Sequence, residues 1–133
     1  MERRRRILID DDDQVILKSV GGFLQRHGYD VLTCQDGPTA VQCARSEKPD
    51  LALVDLGMES PRPTVCPIFD GYTLMGWLRS MPQTARMPVI VLTGSDSPET
   101  NQLCMLAGAT ATMHKPANME RLLRTIQIEL DEF

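Results

Sequence analysis

Short apolar runs alternate with stretches of helical periodicity from one end of the chain to the other. Ile7-Leu8-Ile9, Val31-Leu32-Thr33-Cys34, the segment from Leu51 to Asp55, Val89-Ile90-Val91-Leu92 and a weaker segment from Thr110 to His114 are too short for helices. They carry the branched side chains that strands favour. Between them the pattern changes. From Val15 to about His27, Ile16, Val20, Phe23 and Leu24 recur at helical spacing. Thr39 to Arg45 is a short helix, Gly71 to about Arg79 sets Leu74, Trp77 and Leu78 on one face, and Leu122, Leu123, Ile126 and Leu130 form a late stripe. Strands that are apolar throughout need cover on both faces, and helices between consecutive strands supply it. The expected fold class is therefore α/β: a single-domain, five-stranded parallel sheet, doubly wound with right-handed crossovers.

Local signals place the joints. Gly28 suits the stop of the first helix, and Asp36-Gly37-Pro38 turns the chain with Pro38 in the first turn of the second. Ser97 caps the fourth helix, Pro98 opens it, and it runs to about Ala107 before Gly108. Asn118 caps the fifth. Gly21-Gly22 weakens the first helix, since glycine costs about 1 kcal/mol against alanine there. From Gly57 to Phe69 there is no periodicity, and Pro61, Pro63 and Pro67 mark a long loop. No repeat or second domain is visible, so residues 1–133 read as one domain with an ordered core from about 6 to 130.

At 133 residues the chain can bury a core without metal or disulfide staples. Its net charge of -4 argues against a general nucleic-acid binder. No apolar run is long enough to cross a bilayer. Arg3-Arg4-Arg5-Arg6 is followed only by Ile7-Leu8-Ile9 before four aspartates, which leaves no signal-peptide core; the arginines read as a solvated flank leading into a strand. The four cysteines, Cys34, Cys43, Cys66 and Cys104, and the two histidines, His27 and His114, show no zinc spacing. Cys34 and Cys104 are expected as small buried hydrophobes, and the free thiols suit a reducing cytoplasm.

In open α/β sheets ligands bind beyond the carboxyl ends of the strands. The first strand ends in Asp10-Asp11-Asp12-Asp13, the third in Asp55, the fourth in Thr93-Gly94-Ser95 and the fifth in His114-Lys115-Pro116. Several carboxylates brought together either share protons or hold a cation. A hard divalent ion with oxygen ligands answers this, and Mg²⁺ suits phosphate chemistry. With a lysine and a hydroxyl opposite, such a site can take a phosphoryl group onto a nucleophilic carboxylate.

ILIDDDDQVI, PDLALVDLG, FDGYTLMGWLRS, PVIVLTGSD and AGATATMHKPANMERLL, in that order and spacing, resemble receiver domains of bacterial response regulators along nearly the whole chain. The resemblance implies a flavodoxin-like (βα)5 fold and a phosphorylation-dependent switch in a two-component phosphorelay. It implies Asp55 as phosphoacceptor and a Mg²⁺ site made by Asp11, Asp12, Asp55 and the backbone carbonyl of Gly57. Thr93 and Lys115 would bind phosphoryl oxygens, and Pro116 would follow a cis peptide. Implied partners are a sensor histidine kinase or phosphotransfer protein, with self-association on activation and neither nucleic acid nor membrane bound directly. The protein would be a phosphoacceptor in the cytoplasm rather than an enzyme, beyond self-catalysed phosphoryl uptake and loss.

The chain departs from the family pattern in three places. The segment between Asp55 and Asp70-Gly71 is longer. Thr112 stands where a bulky aromatic is usual, which puts the family's inward ring rotation in doubt. Ala117 stands where a phenylalanine is usual. Three other functions are weighed. Asp11-Asp12-Asp13-Gln14-Val15 fits the DxDxV signature of haloacid-dehalogenase-type phosphatases, but that reading leaves Asp55 without a role and lacks a further acidic pair beyond Lys115 outside the final helix. A pseudo-receiver that binds without being phosphorylated is disfavoured by the complete acidic, threonine and lysine set. A dinucleotide-binding domain lacks its GxGxxG after the first strand.

Overall fold

The computed structural model of the chain describes residues 3–56, 70–95 and 97–132. In chain order the elements are β1 (Arg6–Asp10), α1 (Gln14–Arg26), β2 (Asp30–Cys34), α2 (Gly37–Glu47), β3 (Leu51–Asp55), α3 (Gly71–Ser80), β4 (Val89–Thr93), α4 (Pro98–Ala107), β5 (Ala111–His114) and α5 (Met119–Glu129). The strands form one sheet in the order β2-β1-β3-β4-β5, and every pairing is parallel. Strand order reverses between β1 and β3, and a crevice opens at the carboxyl ends where the chain turns opposite ways.

The two faces of the sheet follow from the two-residue period of a strand. Leu8, Ala52, Val54, Val89 and Val91 face one way and join Ala40 and Ala44 of α2 with Leu74, Met75 and Leu78 of α3. Ile7, Ile9, Leu51, Leu53, Ile90 and Leu92 face the other way, onto Leu17, Val20 and Leu24 of α1 and Leu122 and Ile126 of α5. β3 and β4 are buried at every residue, as central strands must be when both faces are covered.

Each helix begins on a side chain that accepts an otherwise unpaired backbone N–H. Asp13 accepts from Val15 at 2.9 Å, Asp36 from Thr39 at 2.8 Å, Asp70 from Thr73 at 2.9 Å, Ser97 from Thr100 at 3.1 Å and Asn118 from Arg121 at 3.0 Å. The cap at Asp36 starts α2 before the expected Thr39, and the helix continues past Arg45 to Glu47. Gly21 and Gly22 lie inside α1 without breaking it.

Two expectations fail on detail. Trp77 is 49% exposed, because Leu74, Met75 and Leu78 already fill the buried stripe of α3 and leave Trp77 at its edge. Arg3, Arg4 and Arg5 are exposed and Arg6 is half-buried, and the flank is not merely solvated. Arg3 reaches Asp50 at 3.1 Å, Arg4 lies 3.6 Å from Asp30, Arg5 lies 3.8 Å from Glu132 and Arg6 lies 3.7 Å from Glu47. Exposed pairs of this kind contribute about 0–1 kcal/mol each. Together they tie the start of β1 to its surroundings.

Arg79 does more for the fold than any of these. Its guanidinium donates to the carbonyls of Met87 at 2.7 Å, Thr84 at 3.1 Å and Gly108 at 2.6 Å, joining the end of α3 to the entries of β4 and β5. Gly76, by contrast, sits exposed inside α3, and a Cβ added there would meet nothing within 4 Å. Gly76→Ala should therefore stabilise the protein by about 1 kcal/mol. A raised urea midpoint with an unchanged slope is the expected result; a lowered midpoint would mean α3 needs the glycine.

Candidate functional site

Parallel registers level the ends of the strands. Asp10 lies opposite Val54, Asp55 opposite Leu92, and Thr93 opposite His114. The next residues, Asp11 and Lys115, therefore project into the crevice beside Asp55. Lys115 Nζ donates to Asp55 Oδ1 at 2.5 Å and stands 3.8 Å from Asp11 Oδ2. Asp55 is only 3% exposed, so its carboxylate needs such a partner. Asp11, Asp12 and Asp55 each present a carboxylate oxygen, and the three lie within 4.8 Å of one another, Asp12 exposed and the other two buried.

Backbone bonds hold this cluster in place. Asp11 donates its N–H to the Cys34 carbonyl at 3.0 Å, and its Oδ1 accepts the Asp13 N–H at 2.9 Å. Its Oδ2 is buried and accepts no hydrogen bond from the described residues. Burial pushes the Asp11 carboxyl up to about 6; the Asp13 N–H opposes this, the Asp55 charge adds to it, and the Lys115 charge opposes it. One ammonium faces three carboxylates, so the crevice carries excess negative charge around an acceptor oxygen that lacks a donor. That donor set fits a hard divalent cation.

Thr93 is buried at the end of β4, its hydroxyl accepting the Ser95 N–H at 3.0 Å. Its carbonyl accepts the Lys115 N–H at 2.8 Å, which fixes the threonine and the lysine side by side. The Lys115–Pro116 peptide is cis. His114, the neighbour of the lysine, turns its Nε2 to the Gly94 carbonyl at 3.0 Å. Thr112 Oγ1 donates to Asn101 Oδ1 at 3.2 Å, so the place of the usual aromatic is taken by a hydrogen bond to α4. Gly57 and the loop from Met58 to Phe69 lie outside the described residues.

Asp10 was missed in the sequence. It is 1% exposed on β1, on the same face as Leu8, and neither oxygen has a hydrogen-bond partner among the described residues. Burial, then the charges of Asp36, Asp11, Asp55 and Asp12, push its carboxyl up to about 8. The signal was present: alternation along Ile7-Leu8-Ile9 puts residue 10 inward, whereas four consecutive aspartates suggest a turn. Asp13, the second aspartate of the DxDxV signature, caps α1 through its side chain instead of joining the cluster.

Residues 7–127 match the family model of the response regulator receiver domain. The chain belongs to this family. Protein PilH of Pseudomonas aeruginosa is 33% identical over 107 residues, covering 80% of this chain and 82% of that protein. The alkaline phosphatase synthesis transcriptional regulatory protein PhoP of Bacillus subtilis is 33% identical over 112 residues, covering 79% of this chain but 42% of that protein. Among solved structures, the chemotaxis response regulator CheY4 of Vibrio cholerae superposes with a TM-score of 0.85 at 32% identity, covering 96% of this chain and all of that one. This receiver domain is thus a phosphorylation-dependent signalling switch of the two-component type, with the flavodoxin-like fold expected of it.

Proposed function

We propose that the receiver takes up a phosphoryl group on Asp55, in a Mg²⁺-dependent step, from a histidine kinase or phosphotransfer protein of the cytoplasm. The observation that carries this is Lys115 Nζ on Asp55 Oδ1 within a cluster of three carboxylates. Asp11, Asp12 and Asp55, with the Gly57 carbonyl, would hold the metal. When bound, Mg²⁺ supplies positive charge for the phosphoryl oxygens. The chain's own groups do the rest. An Asp55 oxygen attacks phosphorus as the donor's bond to phosphorus breaks, giving an acyl phosphate and a free donor. The Lys115 ammonium passes from the carboxylate to a phosphoryl oxygen, and the Thr93 hydroxyl, which accepts the Ser95 N–H, donates its hydrogen to another.

Residues 1–133 then act as one receiver. The exposed apolar side chains of α4, Leu103, Met105 and Leu106, supply a surface for self-association on activation. None of the helices described is long and apolar enough to cross a membrane. Treatment with acetyl phosphate and Mg²⁺ should add one phosphate by intact mass, and Asp55→Asn should add none. Stoichiometric uptake by Asp55→Asn would overturn the assignment.

A further inference from the structure

Beside Lys115, on the face of the sheet covered by α1 and α5, lies a half-open cavity of about 330 Å³. Its walls are Ile16 and Val20 of α1, Leu92 of β4, and Pro116, Ala117 and Met119 on the way into α5. Val20 and Leu92 belong to the buried core there, and Ile16, Ala117 and Met119 pack against it half-exposed. The cavity is thus a break in the core's outer wall, where residue 117 offers one methyl group. The polar lining is small and engaged: Ser19 Oγ donates to the Ile16 carbonyl at 3.3 Å, and Lys115 Nζ donates to Asp55.

We propose that this cavity binds a small, neutral, apolar molecule, aromatic and of one or two rings. The lining dictates each part of that description. Carbon atoms facing an unfilled space lose the dispersion contacts a filled core would give them, and an apolar ligand restores them. An apolar cavity of roughly 150 Å³ already accepts a benzene ring, so this one has room for a bicyclic molecule. The Met119 thioether gives a ring a favourable sulfur contact. A charged ligand finds no complement: the ammonium at the rim is matched by Asp55, the neighbouring aspartates repel anions, and the described lining residues include no carboxylate to hold a cation. The space admits a ring or a single side chain but not a helix or strand. The stem of Lys115 forms part of the wall, so a bound ring is felt at the residue that holds Asp55.

The test is methyl NMR on the full chain with toluene and with indole as probes. Saturable shifts at the Ile16, Ala117 and Met119 methyls and at the Lys115 amide are expected. Ala117→Phe should weaken binding at least tenfold while the melting temperature is kept or raised, since the new ring occupies the space. Ile16→Trp fills it from the opposite wall and is read instead if Ala117→Phe does not fold. No saturable shift with either probe, or shifts undiminished in both variants, would overturn the proposal. It is also overturned if neither probe binds while Ala117→Phe slows transfer from a histidine donor but not from acetyl phosphate. That result would assign the cavity to a side chain of a protein partner.

Discussion

Replacing Asp10 with valine should stabilise the fold at neutral pH, by on the order of 3 kcal/mol. Asp10 is 1% exposed, and both of its oxygens lack hydrogen-bond partners among the described residues. A buried polar group in that state costs about 1–3 kcal/mol even when neutral. Its titration adds to the cost. In the fold the carboxyl is pushed from 3.8 to about 8, by burial first and then by Asp36 and the other aspartates. The folded protein therefore holds this proton more tightly than the unfolded chain does. The contribution is fully present below about pH 4, is lost as pH rises, and is gone above about pH 8. Valine carries no proton and fits the apolar strand. Its advantage over wild type should then grow between pH 5 and pH 8, by on the order of 3 kcal/mol. Urea unfolding of both proteins in EDTA at the two pH values measures this directly. The same advantage at both would mean that Asp10 does not exchange its proton in this window, and the assignment of a buried neutral acid would be wrong.

Asp10 also shows where reading the sequence stops. The strands were legible because a parallel strand buried on both faces must be apolar throughout, and Leu51 to Val54 and Val89 to Leu92 are. The helix starts were legible because Ser97 and Asn118 are side chains that bond backbone N–H groups at a helix entry. The site was legible as order along the chain: strand ends converge in this topology, so Asp11, Asp55, Thr93 and Lys115 could be brought together on paper. What sequence could not supply was direction. Four adjacent aspartates are chemically alike, yet one is buried beneath the cluster, one caps α1, and two join Asp55. Only register and the start of α1 separate them. Nor could spacing show that Trp77 sits at the edge of its stripe, or that the arginines before β1 are paired with acids far away in the chain.

Lys115→Ala and Asp12→Ala should both impair phosphoryl uptake, with opposite signatures in metal binding. Lys115 is the one ammonium among the described residues that reaches the carboxylates of the cluster, 2.5 Å from Asp55 and 3.8 Å from Asp11. A positioned charge that meets developing charge on transferring oxygens is worth roughly 10²–10³ in rate, and Lys115→Ala should lose about that much in uptake from acetyl phosphate. Its ammonium also competes with any cation for the same oxygens. Removing it should leave Mg²⁺ affinity unchanged or raised. Asp12 is the exposed member of the cluster and has no part in the Lys115 contact. Losing it removes a proposed metal ligand and a negative charge, so Mg²⁺ affinity should fall while the Lys115–Asp55 pair survives. Saturating Mg²⁺ should then restore much of the uptake of Asp12→Ala and none of that lost in Lys115→Ala. Mg²⁺ titration by calorimetry, followed by uptake rates at rising Mg²⁺, separates the two. If Lys115→Ala weakens Mg²⁺ binding as much as Asp12→Ala does, the lysine is acting by holding the carboxylates in place. Its proposed role at the phosphoryl oxygens would then have to be given up.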